Sequence, residues 1–429
     1  MKKKREDSVR ILVRDTALAA AVMAVMASMS TISTHAETAG TDDFADVFTE
    51  RDLTQTADLT DAVNLTVKSG EDTAVTEAGV YVIAGEAENA AVIVDAPDDA
   101  KVQLVLDGLS LSNEDRPCIW VKNADKVFVT TTDSTNTLTV SGAFAAANDG
   151  TNTDAVIYSR DDLILNGTGT LTVSSTENGI SGKDDLKITG GTVTVSCAKD
   201  GLEANESIAV ADGTVVITAG DDGLQAGDDD SSDTGNIYIA GGILTVTAAD
   251  DALRGNAVIQ IDGGTLDLEG TECIEATRIR ISGGTIGISA SDDGINASAK
   301  SGIGTPQLDI SGGDITVVMG GGDTDAIDVN GNLSISGGTL DISAQSPFDC
   351  DGQITHTGGT LIVNGAETTE IQNQMMGGFG EMGGFGRQPG MQNGMQPGGG
   401  FGAQEGMGPR SGFGGPEGMR PQEEYNAAG

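Results

Sequence analysis

The chain has 429 residues, 65 of them acidic against 23 Lys and Arg, for a formal charge of −42 at pH 7. That balance excludes nucleic acid and anionic lipid as direct partners, since both carry the same sign, and it favours cations. One Trp and four Tyr leave little aromatic surface, and no Walker, Rossmann or zinc-type spacing is present.

Residues 1–36 begin with a basic cluster (Lys2, Lys3, Lys4, Arg5, Arg10, Arg14), continue through an apolar run from Ala17 to Met26, and exit at Thr34-His35-Ala36. This is the pattern of a secretory signal peptide cleaved after Ala36, and it predicts a secreted protein, extracellular or associated with the cell surface. No later stretch reaches membrane-spanning length, so a released monomer is expected. Residues 37–69 are polar and acidic, with Phe44, Phe48 and Arg51-Asp52-Leu53 as docking points, and are expected to cap the open end of the fold that follows.

Alternating strands begin with Val102-Gln103-Leu104, Ile119-Trp120-Val121 and Val127-Phe128-Val129. From Leu163 to Val363 they become a repeat: an apolar strand, a Gly-Gly-type turn, a second strand and an acidic turn. Leu186-Lys187-Ile188-Thr189-Gly190-Gly191 returns as Ile237-Tyr238-Ile239-Ala240-Gly241-Gly242 and again as Leu333-Ser334-Ile335-Ser336-Gly337-Gly338. Where no insertion intervenes the period is 20–22 residues. One such unit has too little apolar surface to bury alone, whereas stacked units align Leu, Ile and Val into interior columns. The fold class is therefore all-β: a single-stranded parallel β-helix over residues 70–365. Glycine pairs suit its corners because one residue there needs positive φ.

Stacking also turns any outward side chain into a ladder with steps of about 4.8 Å. The second turn reads Lys199-Asp200-Gly201, Asp221-Asp222-Gly223, Asp250-Asp251-Ala252, Asp292-Asp293-Gly294 and Asp323-Thr324-Asp325, with Glu272 in the departing rung. The insertion Gly227-Asp228-Asp229-Asp230-Ser231-Ser232-Asp233 adds more acids. A single Asp-Gly is an ordinary turn, but carboxylates in register repel one another unless a cation lies between them. Oxygen-only clusters suit Ca²⁺, and the expected ligands are Asp200, Asp221, Asp222, Asp228, Asp230, Asp250, Asp251, Asp292, Asp293 and Asp325.

Cys118, Cys197, Cys273 and Cys350 lie three or more rungs apart, beyond disulfide reach, and are expected as small buried hydrophobes. Residues 366–429 turn to Gly, Met, Gln, Pro and Phe without strand or helix period, and are expected to be a disordered tail.

Phe48-Thr49-Glu50-Arg51-Asp52-Leu53, Gly79-Val80-Tyr81-Val82-Ile83-Ala84-Gly85, Asp99-Ala100-Lys101-Val102-Gln103-Leu104 and Lys183-Asp184-Asp185-Leu186-Lys187-Ile188 resemble, in that order, a bacterial secreted family of carbohydrate-binding domain-containing proteins. The resemblance implies a right-handed, pectate-lyase-like parallel β-helix, surface calcium, and affinity for cell-wall polysaccharide, including cellulose and acidic uronate polymers.

Hydrolysis on the polygalacturonase pattern is not expected, because Asn152-Thr153-Asp154 and Asp221-Asp222 are separated by about three rungs and His356 lies far downstream. A calcium-dependent polysaccharide lyase needs only the metal and a basic residue, and Arg254 and Lys199 stand beside the acidic ladder. Binding without chemistry is the favoured reading, with Trp120 and Tyr238 as candidate stacking surfaces. A structural rod or adhesin is the third.

Overall fold

The structure, a computed structural model, describes residues 44, 46–147, 150–227, 234–321 and 324–373. These lie in one compact unit, 1–378, and the second unit, 379–429, falls outside the described residues. The expected signal peptide and nearly all of the expected tail fall outside them as well.

Every regular element among the described residues is a strand, and the strands form three parallel ladders, with some strands running through a corner from one ladder to the next. The first ladder runs through Lys126–Thr131, Asp162–Gly167, Asp185–Ile188, Ser207–Val210 and Asn236–Ile239, each parallel to the next. The second runs through Thr170–Ser174, Thr192–Ser196, Thr214–Thr218 and Ile243–Thr247. A third, of short strands such as Leu202–Ala204 and Leu224–Ala226, follows the acidic turn and was not anticipated from the repeat. Its stretches of about three residues show too little alternation to register as strands. The parallel β-helix is as expected, and the early strands Gly79–Glu88 and Lys101–Asn113 belong to the same stack.

The core is built from columns. Leu163, Leu186, Ile208, Ile237, Ile259, Ile279 and Leu308 occupy successive rungs and are all fully buried. Each contributes roughly 1.5–3 kcal/mol by leaving water. The corner after the first ladder needs left-handed backbone at the second glycine, as Gly191 (φ 76°) and Gly338 (φ 79°) show. All four cysteines are free; Cys118, Cys273 and Cys350 are buried, while Cys197 is half-buried rather than interior.

Residues 44–56 do not cap the stack. They lie along the outer face of the first ladder, and only Val63–Thr66 joins the terminal rungs, pairing with Gly79–Glu88. Arg51 sits over the Phe128 ring at 4.4 Å, Lys187 Nζ donates to the Val47 carbonyl at 2.9 Å, and Gly167 N donates to Gln55 Oε1 at 2.9 Å. Thr189 Oγ1 donates to the Asp52 carbonyl, and Asn166 Nδ2 donates to the Thr54 carbonyl at 3.1 Å. This strap explains why the outward column Phe128, Ile164, Lys187 and Ala209 is buried. At the other end, Ala366–Thr368, assigned from sequence to the tail, pairs antiparallel with Thr360–Val363. The Asn373 side chain there bonds both backbone groups of Cys350.

Candidate functional site

The residue two positions before the inward Ile or Leu that the third strands align (Ile180, Leu202, Leu224, Leu253, Ile274, Ile295 and Ile327) falls in one column: Asn178, Asp200, Asp222, Asp251, Glu272, Asp293 and Asp325. The backbone N–H of one rung donates to the side chain of the rung before. Asp200 N reaches Asn178 Oδ1 at 3.1 Å, Asp222 N reaches Asp200 Oδ1 at 3.1 Å, and Asp251 N reaches Asp222 Oδ1 at 3.0 Å. Asp325 N reaches Asp293 Oδ1 at 3.3 Å. Each acidic pair is thereby divided. Asp222 and Asp251 are buried in the ladder, whereas Asp221, Asp250 and Asp292 face solvent.

Burial makes Asp200, Asp222, Asp251, Glu272 and Asp293 of this column reluctant to ionise. It pushes the Asp200 and Asp293 carboxyls up to about 7, and that of Asp328, one of the outward third-strand residues, to about 6. Asp222 is raised by burial, and Asp251 by burial and then by its neighbours Asp222 and Glu275. A hydrogen bond to the charged form lowers a carboxyl pKa, but here desolvation outweighs it.

Two groups of three carboxylates converge among the described residues: Asp221, Asp222 and Asp250, and Asp251, Glu272 and Glu275, with one oxygen from each acid inside 4.8 Å of the others. The second group is compensated. Lys300 Nζ lies 2.7 Å from Glu275, Arg254 Nε lies 4.0 Å from it, and Asn296 Nδ2 donates to Glu272 at 2.9 Å. In the first, Arg254 Nη1 lies 3.3 Å from Asp222, while Asp221 and Asp250 meet no Lys or Arg among the described residues. Asp200, Asp292, Asp293 and Asp325 enter neither group, and Asp325 instead accepts from Ser346. Asp228 and Asp230 fall outside the described residues. Glu275 escaped the sequence reading because its column, one of mixed Glu, Gln, Arg and Asn, does not repeat.

The basic residues considered as lyase bases are tied down. Lys199 Nζ lies 2.6 Å from Glu177 and Arg254 pairs with Asp222. The hydrogen bond to Glu177 raises the Lys199 pKa, and that of Arg254 is raised by the carboxylates around it despite burial, the wrong direction for a group that must accept a proton.

Tyr238 is not a free stacking surface. Phe44 stacks on it at 4.8 Å with an interplanar angle of 7°, Phe48 follows at 6.0 Å, and its hydroxyl donates to Asp262 at 3.0 Å. Trp120 points outward from the third ladder, in register with Ile93 and Tyr158, and is half-buried beneath Lys122, whose ammonium lies 4.0 Å over the ring.

The profile of the carbohydrate-binding domain-containing protein family matches residues 69–320. The chain belongs to that family. A carbohydrate-binding domain-containing protein of Acetivibrio thermocellus is 34% identical over 125 residues, covering 28% of this chain and 44% of the relative. The match thus spans less than half of the curated relative's length. A solved structure described as a polysaccharide lyase-like protein from C. thermocellum aligns with a TM-score of 0.45 and 24% identity, over 61% of this chain and 98% of that one. The carbohydrate-binding family region contains Trp120 and the acidic ladder as far as Asp293, whereas the strap precedes it and Asp325 follows it.

Proposed function

We propose that this protein is an exported, non-catalytic carbohydrate-binding protein that holds Ca²⁺ at Asp221, Asp222 and Asp250 and uses the ion to bridge to an acidic uronate polymer of the cell wall. The observation that carries the reading is the convergence of three carboxylates from adjacent rungs, two of them exposed and without a basic partner among the described residues. Hard, oxygen-only donors fit Ca²⁺, which takes about 6–8 oxygens. Three carboxylates leave positions for backbone carbonyls, water and the carboxylates of a polymer, so the ion can hold two negatively charged partners together. A chain of charge −42 has no other simple route to an acidic glycan at this corner.

The test is an affinity gel with polygalacturonate, run in calcium and in chelator. Retardation should be greater in calcium, and Asp221→Ala with Asp250→Ala should remove that gain. Equal mobility in both gels, with no heat of calcium binding at millimolar concentration, would refute the bridge. Release of unsaturated uronate would establish a lyase instead, and calcium-independent retention on cellulose would point to neutral-glycan binding.

A further inference from the structure

The third ladder also carries a hollow whose charged lining is mostly cationic. Its outward column changes along the stack, from Ile93, Trp120 and Tyr158 to Ser181, Glu203, Gln225, Arg254 and Glu275. At the aromatic end lies an open concavity of about 370 Å³ whose lining includes Trp120, Arg116, Lys122 and Arg160, with Asp115 as the one acid among the described residues that line it. The volume falls in the range of roughly 300–1,000 Å³ typical of small-molecule sites. Three cations around one hollow are out of proportion in a chain with 65 acids and 23 bases.

The hollow is built by an insertion. Between Thr135–Val140 and Ala155–Ser159 the corner takes 14 residues, where Thr170–Ser174 to Asn178–Gly182 needs only three. Ala145 N donates to the Asp115 carbonyl at 2.8 Å, and Ala145, Ala146 and Ala147 join Trp120 in the lining. Insertions in repeat folds map to loops on one face, which is often the binding face. Strand alternation puts Lys122 on the same side as Trp120, and Arg160 on the same side as Tyr158 in the neighbouring rung. Arg116 is held by Asp72 at 2.7 Å and by the Asn89 carbonyl at 3.1 Å, which fixes its direction. Arg160 donates to Thr151 Oγ1 at 2.8 Å, while no carboxylate pairs with Lys122 among the described residues. The Trp120 indole N–H is buried and meets no acceptor among the described residues.

We infer that this hollow binds a single anionic sugar unit directly, without metal: a saccharide bearing a carboxylate or a sulfate ester. The apolar face of the ring lies against Trp120 and the alanines, and its anionic group meets Lys122 and Arg160. The inference rests on the carbohydrate-binding reading but not on calcium.

The single tryptophan makes the test specific, because its selectively excited emission reports on this hollow alone. The full chain is titrated in chelator with trigalacturonate, with a sulfated oligosaccharide and with neutral cellotriose. A saturable emission change with either anionic probe, weakened by salt, is expected, and the responding probe identifies the substituent. Lys122→Glu should raise the dissociation constant at least about tenfold, and exposed Arg160→Ala should raise it several-fold, with unchanged far-ultraviolet dichroism. No response to either anionic probe, or an equal response to cellotriose, would overturn the inference. Because chelator is present throughout, failure of the calcium bridge leaves this outcome untouched.

Discussion

Asp200 and Asp222 stand one rung apart, and the backbone N–H of Asp222 donates to Oδ1 of Asp200 at 3.1 Å. The carboxylate therefore does structural work that an amide could do equally well, as Asn178 does for Asp200. Unlike Asn178, it also brings a charge into a buried column. The acidic ladder is thus a compromise between stacking and electrostatics, and its response to substitution should show which side of that compromise each residue occupies.

Asp200→Asn keeps the acceptor and removes the buried charge, so at pH 8 in chelator it should melt higher than the wild type. Asp200→Ala loses the acceptor for Asp222 N and should lower stability by about 1–3 kcal/mol. Thermal denaturation of the two variants side by side is the check; equal destabilisation by both would show that charge is irrelevant there.

The same groups set a pH dependence. Asp200 and Asp293 have an ordinary value of 3.8 and are raised to about 7 in the folded chain. Between those values the folded state holds protons that the unfolded state has released, so stability falls as pH rises through about 7 and is greatest below about 4 as far as these groups are concerned. In chelator, the melting temperature should be higher at pH 5 than at pH 8. A flat profile would show that the column is already ionised.

Calcium should act most where the carboxylates are charged. At pH 8, saturating calcium should raise the melting temperature, by about 2.7 kcal/mol of stabilisation at a hundredfold excess over the dissociation constant. Asp221→Ala with Asp250→Ala should remove the effect. Asp212→Ala, at the Gly-Gly-type corner between Ser207–Val210 and Thr214–Thr218, should not. Calorimetry with and without the ion measures each case.

Tyr238 should matter to stability and not to sugar. Tyr238→Ala removes the surface on which Phe44 stacks and should cost about 1–3 kcal/mol, with retention on polygalacturonate unchanged. Lost retention in a fully folded variant would restore Tyr238 as a binding residue.

The stack itself was legible because its causes are local and repeated: Ile237-Tyr238-Ile239 followed by Gly241-Gly242 states inward direction, corner and register within a few residues. The split of Asp221 from Asp222 was not, since two adjacent acids look alike until the following strand fixes which one turns inward. The strap was misplaced for a different reason. Phe44 and Phe48 announce an apolar contact, but the partner, Tyr238, lies nearly two hundred residues away. The hollow at Trp120 depends on Ala145, Ala146 and Ala147 joining its lining, which composition does not record.

The strap has a consequence for assembly. Stacked repeats of equal length are nearly interchangeable, and a chain that skips or doubles one can still satisfy most of its β-ladder hydrogen bonds. Residues 47–55 break that degeneracy, because Lys187 answers Val47, Thr189 answers Asp52, Asn166 answers Asp52 and Thr54, and Gly167 answers Gln55. A slip of a single coil would set the Val47 carbonyl against Ile164 or Ala209, neither of which carries a side-chain donor. This early segment of the chain thus acts as a key for coils made much later, and the correctly counted stack fits it best.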